Sequence, residues 1–270
     1  MRAKRPMTGL NRSRPVIGQI PGAMSSSCQA LLLAAGRGER MRPLTDDCPK
    51  PLLALRGQPL MQWAMQGLQR GGVTDLLINT AWLGEQIETH YGRWLTTRPY
   101  RPMQLHYSRE GVDFGGALET AGGIVRGLPQ LDAVFWVVAG DVYAPAFEFD
   151  HRILEAFAAS PWLAHLWLVP NPVHNPRGDF GLTREGAALN LGPDSGQPRF
   201  TFSTIALYKR AFFEGPWCQI PAGNPKGIKA PLAPMLRQAM DNGVVSASLY
   251  RGPWTDVGTP ARLAELNAES

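Results

Sequence analysis

The sequence predicts an α/β fold, with helices on both faces of a central, mainly parallel sheet. Three short runs, residues 30–34, 76–78 and 133–138, contain no polar residue. Strands buried on both faces read in this way. Between the first two lies a stretch, 58–70, with Leu60, Met61, Ala64, Met65 and Leu68 on one helical face. A second helix is expected over 83–91. The order strand, helix, strand, helix implies parallel strands joined by right-handed crossovers.

The remaining elements follow in order. Gly71-Gly72 ends the first helix. Residues 103–107 alternate apolar and polar and predict a third strand. Residues 108–117 hold Gly111, Gly115 and Gly116 and read as a flexible loop. A helix opens near Leu118, with Thr120 able to cap it and Gly122-Gly123 able to admit a ligand to the backbone. Alone, that segment reads equally as a capped helix start or as part of a binding site. The run at 133–138 ends at Gly140-Asp141. Residues 148–159 predict a helix and 163–169 a strand. A long polar turn fills 170–180. Strands are expected at 201–207 and 244–250, a helix at 232–241, and a last helix ending near residue 268.

The first strand carries the strongest chemical signal. It runs into Gly36-Arg37-Gly38-Glu39-Arg40-Met41-Arg42, and Pro49-Lys50-Pro51 follows. Glycines let a backbone turn sharply and approach a ligand, and the N–H groups of such a turn converge on anions. With clustered cations, this is the composition of a polyphosphate site. It is neither a Walker loop, which needs Gly-Lys-Ser/Thr, nor a dinucleotide fingerprint, whose third small residue is replaced by Met41. Asp141, at the carboxyl end of a central strand, faces the crevice where α/β proteins bind ligands. It reads as a magnesium ligand or as a solvated carboxylate, and the phosphate loop upstream favours the ligand.

Leu33-Ala-Ala-Gly-Arg-Gly-Glu-Arg-Met-Arg-Pro-Leu-Thr45 and Pro49-Lys-Pro51 resemble the signature of the sugar-phosphate nucleotidylyltransferases. The likeness extends over nearly the whole chain from Met24. It implies a Rossmann-like three-layer nucleotidyltransferase fold with a mixed, mainly parallel central sheet. It also implies Mg²⁺ held by Asp141 and by Asp256 of Trp254-Thr-Asp-Val-Gly-Thr259. Catalytic roles fall to Arg40, Lys50 and Asp141. Nucleotide contacts fall to Ala34, Ala35, Gly36, Gly38, Arg40, Lys50, Glu110 and Gly122. Sugar contacts fall to Glu119, Asn171, Asp179 and Ser203. Leu118-Glu-Thr120 and Arg177-Gly-Asp-Phe180 are most similar to the branch acting on N-acetylmuramate 1-phosphate, with UTP as the second substrate. The Glu-Lys-Pro of many hexose-phosphate members is absent, which leaves His174, Arg177, Lys226 and Lys229 as candidate cations for the sugar. Thr204 stands where the family carries glycine. The alternatives are a mannose- or glucose-type enzyme and a regulatory subunit without turnover.

Charge bounds the partners. The formal net charge is +5, but five of the 27 basic residues lie in residues 1–23 without one acid, leaving 22 basic against 22 acidic residues. The body has no basic footprint for nucleic acid. Residues 1–23 read as a disordered basic extension, with Met24 a candidate start and 24–270 the single domain. No apolar run approaches the ~20 residues of a membrane span. Cys28, Cys48 and Cys218 are too widely spaced for a disulfide framework or a zinc site, and a reducing, cytoplasmic setting is expected.

Overall fold

A computed structural model describes residues 28–268. The basic extension expected at 1–23 lies outside them. The first half of the chain comprises β1 (Cys28–Leu33), β2 (Ala54–Leu55), β3 (Gln58–Pro59), α1 (Leu60–Arg70), β4 (Asp75–Thr80), α2 (Gly84–Tyr91), β5 (Trp94–Leu95), β6 (Met103–Arg109), α3 (Glu110–Phe114) and α4 (Glu119–Gly127). The second half comprises β7 (Leu131–Ala139), β8 (Val142–Tyr143), α5 (His151–Ala159), β9 (Ala164–Val169), β10 (Phe180–Leu182), β11 (Ala188–Leu189), β12 (Arg199–Lys209), α6 (Leu232–Asp241), β13 (Val245–Leu249), β14 (Thr255–Asp256) and α7 (Pro260–Ala268).

Ten strands form one mixed sheet, ordered β11-β10-β12-β7-β1-β4-β6-β5, with β9 on β12 and β13 on β9. β1, β4, β6 and β7 are mutually parallel, and Leu31 sits between Leu77 of β4 and Val137 of β7. β12 is antiparallel to β7 and to β9. Met61, Met65, Ile87 and Phe157 pack one face of the sheet from α1, α2 and α5. Ile124, Val125, Leu236 and Met240 pack the other from α4 and α6. Leu31 and Leu32 are fully buried on opposite faces. Each such leucine is stabilised by roughly 1.5–3 kcal/mol relative to exposure.

Two expectations are corrected. Residues 108–117 are not a flexible loop. β6 continues to Arg109, and α3 follows at once. Glu110 anchors it from beneath, accepting from Asn79 Nδ2 and from the Leu118 N–H, each at 2.8 Å. Phe114 packs so close to Gly227 that an added Cβ there would lie 2.3 Å from its ring. Tertiary contacts therefore override the glycine-rich composition. Thr120 does not cap α4. Leu118 precedes the helix, with no side-chain cap, and the N–H groups of Ala121 and Gly122 donate to the Ala230 carbonyl.

Candidate active site

The turn after β1 is built from three fixed points. The Ala34 N–H donates to Asn79 Oδ1 at 2.7 Å, and Glu110 holds Asn79 in turn. Burial pushes the Glu110 carboxyl up, opposed by the Leu118 N–H and Asn79. Gly38 is left-handed, at φ 69° and ψ 39°, and an added Cβ would crowd Thr45 and Lys50 at 3.1 and 3.2 Å. A Cβ on Gly36 would meet no protein atom within 4 Å. Among the described residues, the N–H groups of Gly36 and Gly38 carry no hydrogen bond. The turn thus presents free donors on its open side, as an anion site requires.

The cations divide. Arg37 braces the turn: Nη1 donates to the Thr45 carbonyl at 2.8 Å, Nη2 to Asp46 at 3.1 Å, and the guanidinium lies 3.9 Å over the Trp82 ring. Arg42 Nε also donates to Asp46, at 2.7 Å. Arg40 is exposed and has no hydrogen bond or ion pair among the described residues. Lys50 opens a 3-10 turn after Pro49 and forms an ion pair with Asp141.

Pairing between β8 and β14 sets the backbones of the two sequence-predicted acids side by side, although of the two only Asp141 lines the neighbouring cleft. Asp256 is in register with Val142, and the Val257 N–H donates to the Asp141 carbonyl at 2.9 Å. Asp256 Oδ1 accepts from Arg262 Nη1 at 2.6 Å and lies 2.8 Å from His174 Nε2. Among the described residues, no group of three or more His, Cys, Asp or Glu side chains is placed to hold a metal. The two carboxylates, Asp141 paired with Lys50 and Asp256 with Arg262 and His174, are oxygen donors of the kind that suits Mg²⁺, which keeps waters and takes substrate phosphates.

These elements border a cleft of about 460 Å³. Of the predicted residues, Ala34, Ala35, Gly36, Gly38, Arg40, Lys50, Glu119 and Asp141 line it, together with Thr120 and Thr204. Its lining also includes the apolar side chains of Leu33, Val137, Phe202 and Leu232. Tyr208 also lines it, fully buried, with a hydroxyl that has no partner among the described residues. Glu119 and Thr204 both have φ near +60°, a conformation that costs residues with a Cβ and clusters at functional sites. At Thr204, β12 slips register between Phe202 and Ala206, so the bulge turns this side chain toward the cleft.

Several predicted residues lie elsewhere. Glu110 is fully buried behind Asn79. Gly122 faces the 224–230 segment, where a Cβ would meet the Ile228 carbonyl at 2.5 Å. Ser203 is fully buried beneath the bulge, donating to the Trp167 carbonyl and accepting from the Ile205 N–H. Asn171 donates to the carbonyls of Pro176 and Arg199, while Asp179 accepts from Asn175 and the Phe202 N–H. Both shape the 170–180 turn rather than line the cleft. Arg177, Lys226 and Lys229 are exposed and outside the cleft lining. Arg262 carries no motif in the sequence. An arginine on a C-terminal amphipathic helix ordinarily reads as solvated, and here the turn between β14 and α7 folds it back onto Asp256, six residues earlier.

Residues 29–189 match the family described as nucleotidyl transferase. The chain is 42% identical over 247 residues to the N-acetylmuramate alpha-1-phosphate uridylyltransferase of Neisseria meningitidis serogroup B, covering 89% of this chain and 97% of that protein. It is 29% identical over 253 residues to the protein of the same name in Caulobacter vibrioides, covering 89% and 95%. Among solved structures, the inositol-1-phosphate CTP transferase of T. maritima superposes with a TM-score of 0.65 at 18% identity, covering 91% of this chain and 97% of that one. A putative glucose-1-phosphate thymidylyltransferase from Bacillus anthracis gives 0.66 at 19%, covering 89% and 94%. These two structures share the fold. With its family match over more than half its length and a relative aligned nearly end to end, this chain belongs to the nucleotidyl transferase family.

Proposed function

We propose that the protein transfers UMP from UTP to N-acetylmuramate 1-phosphate, releasing pyrophosphate. The observation that carries the reading is 42% identity across 97% of a relative that bears this activity in its name. The cleft supports it with backbone donors at Gly36 and Gly38 and an Arg40 that are unpaired among the described residues, and with Lys50 beside Asp141.

The phosphate oxygen of the sugar 1-phosphate attacks the α-phosphorus, and pyrophosphate leaves in line. A phosphate is already anionic near neutral pH, so no general base is needed. Catalysis then rests on positioning and charge neutralisation. Arg40 and Lys50 neutralise the triphosphate and the leaving group, and the Gly36 and Gly38 amides orient it. Asp141 and Asp256 would hold Mg²⁺, which supplies charge neutralisation to the triphosphate and the incoming phosphate. The sugar sits toward Glu119, Phe202 and Thr204. The apolar part of the lining, with the Tyr208 phenol beside it, suits an acetamido group better than a bare hydroxyl. Cys48 and Cys218 are free, consistent with a cytoplasmic setting, and no helix among the described residues is long and apolar enough to cross a membrane.

Competition at equal concentration tests the reading: N-acetylmuramate, N-acetylglucosamine and mannose 1-phosphates, each with UTP and with GTP. N-acetylmuramate 1-phosphate with UTP should turn over fastest. Faster turnover of mannose 1-phosphate with GTP would replace it with the hexose-type reading.

A further inference from the structure

We propose that Arg262 and His174 are positioning residues that lock one oxygen of Asp256 and so present the other to a divalent cation at the cleft. The inference rests on the reading of Asp256 as a metal ligand. A single guanidinium nitrogen, Arg262 Nη1, donates to Asp256 Oδ1 at 2.6 Å and to the Asp256 carbonyl at 2.8 Å. Gripping the main chain and the carboxylate of one residue fixes the side-chain rotamer between them. His174 Nε2 meets the same Oδ1 at 2.8 Å and lies 3.4 Å from Arg262 Nη1. Oδ1 is therefore held from two directions by segments 88 residues apart.

The other oxygen is differently placed. Oδ2 has no hydrogen-bond partner among the described residues and lies 3.2 Å from the point a Cβ on Gly258 would occupy. Gly258 lines the cleft, and Arg40 Nη2 and Arg262 Nη1 each lie 3.3 Å from that same point. The carboxylate thus has one oxygen held fast and the other open beside Gly258, at the border of the cleft. The supports are themselves anchored. The Arg262 N–H donates to Thr259 Oγ1, and Val257 and Leu263 on either side are buried with Met41, Leu55 and Leu60. The Arg262 side chain is only 17% exposed, so this is not one of the solvated surface pairs that contribute little. Hydrogen bonds behind a ligating carboxylate orient it, and their loss typically weakens metal binding ~10–100-fold.

The test titrates Mn²⁺ into the full chain, following free Mn²⁺ by EPR, alone and with a non-hydrolysable UTP analogue. Arg262→Gln should weaken Mn²⁺ binding at least tenfold, and His174→Gln should weaken it to a smaller degree. UTP-analogue binding measured in EDTA should be unchanged in both, which a general loss of structure would not leave intact. Arg262→Lys keeps the charge without the rigid guanidinium and should lie between wild type and Arg262→Gln, so the idea remains testable if the glutamine variant fails to fold. Asp256→Asn separates the two ideas. If Asp256→Asn leaves Mn²⁺ affinity unchanged, the metal reading of Asp256 is wrong, and this inference goes with it. If Asp256→Asn weakens Mn²⁺ binding but Arg262→Gln, Arg262→Lys and His174→Gln do not, positioning by Arg262 and His174 is overturned while the metal reading stands.

Discussion

At the scale of single residues, the phosphate turn separates cations that the sequence presents as equals. Arg37, Arg40 and Arg42 lie within six residues, yet Arg37 and Arg42 both converge on Asp46, and Arg40 alone is left free among the three. Arg40→Ala should therefore lower kcat/KM while leaving the unfolding temperature within error. A charge-assisted contact of ~1.5–3 kcal/mol corresponds to roughly a 10- to 100-fold loss. Arg37→Ala should do the reverse in emphasis. It removes the brace to Thr45, Asp46 and the Trp82 face, so the melting temperature should fall and activity should follow only to the extent that the turn loosens. Steady-state kinetics and thermal unfolding on the two variants check this. Equal activity losses at equal stability would mean that both arginines face the substrate. Asp141→Asn probes the same residue-level logic from the acid side. It should abolish most Mg²⁺-dependent turnover with the fold intact by far-UV circular dichroism, and retained turnover would remove Asp141 from the chemistry.

At the scale of elements, the informative feature is the bulge in β12. Thr204 has φ 60°, and its hydroxyl donates to the neighbouring Ser203 carbonyl at 2.7 Å. A left-handed residue with a Cβ costs ~1–2 kcal/mol. Thr204→Gly should thus raise stability, by ~1 kcal/mol once the glycine's greater unfolded-state freedom is counted. Urea unfolding reads this, and a clear destabilisation would show that the threonine side chain supports the bulge. The same position shows what a sequence can and cannot reveal. A resemblance marks Thr204 as unusual, but only the register slip explains why glycine suits the site. The buried strands β1, β4 and β7 were legible because burial on both faces demands uninterrupted apolar runs, and α6 because its apolar face repeats at helical spacing. The short strands were not. β8 and β14 are two residues each, and they exist because Val142 meets Asp256 across more than a hundred residues of chain. For α3, Gly111 and Gly115 argue against a helix locally, while Glu110 and Phe114 secure it through distant partners. The cleft followed the same division. Residues on the phosphate turn and at the strand ends were readable from local pattern. Arg262 lies only six residues from Asp256 but no motif marks it, and the supporting places of Glu110 and Ser203 depend on contacts that no spacing encodes.

At the scale of the whole molecule, β12 joins a parallel half, β7-β1-β4-β6, to an antiparallel half that includes β9 and β10. The cleft draws on both halves, with Ala34 and Gly36 on one side and Phe202 and Thr204 on the other. Anything that loosens this junction should therefore be felt as global stability rather than as local fraying. His165 on β9 lies close to it: its Cα partner is Leu207 of β12 on one side and Ser246 of β13 on the other. Its ring lies 4.6 Å from that of Trp167, and Nδ1 is 2.8 Å from Ser246 Oγ. Burial pushes its pKa down, to about 4. The unfolded chain, with an ordinary histidine near 6.5, then binds the proton more readily than the folded one between those values. The neutral ring contributes its full stability above pH 6.5, and that contribution is lost as the pH falls toward 4, on the order of 3 kcal/mol for this one group. Urea midpoints of the wild type should decline across that window, and those of His165→Gln should decline less. Because the histidine lies in the sheet and not in the cleft, the difference should be the same with and without UTP and Mg²⁺. Parallel curves for the two proteins across pH 4–6.5 would show that another buried group carries the acid sensitivity of the fold.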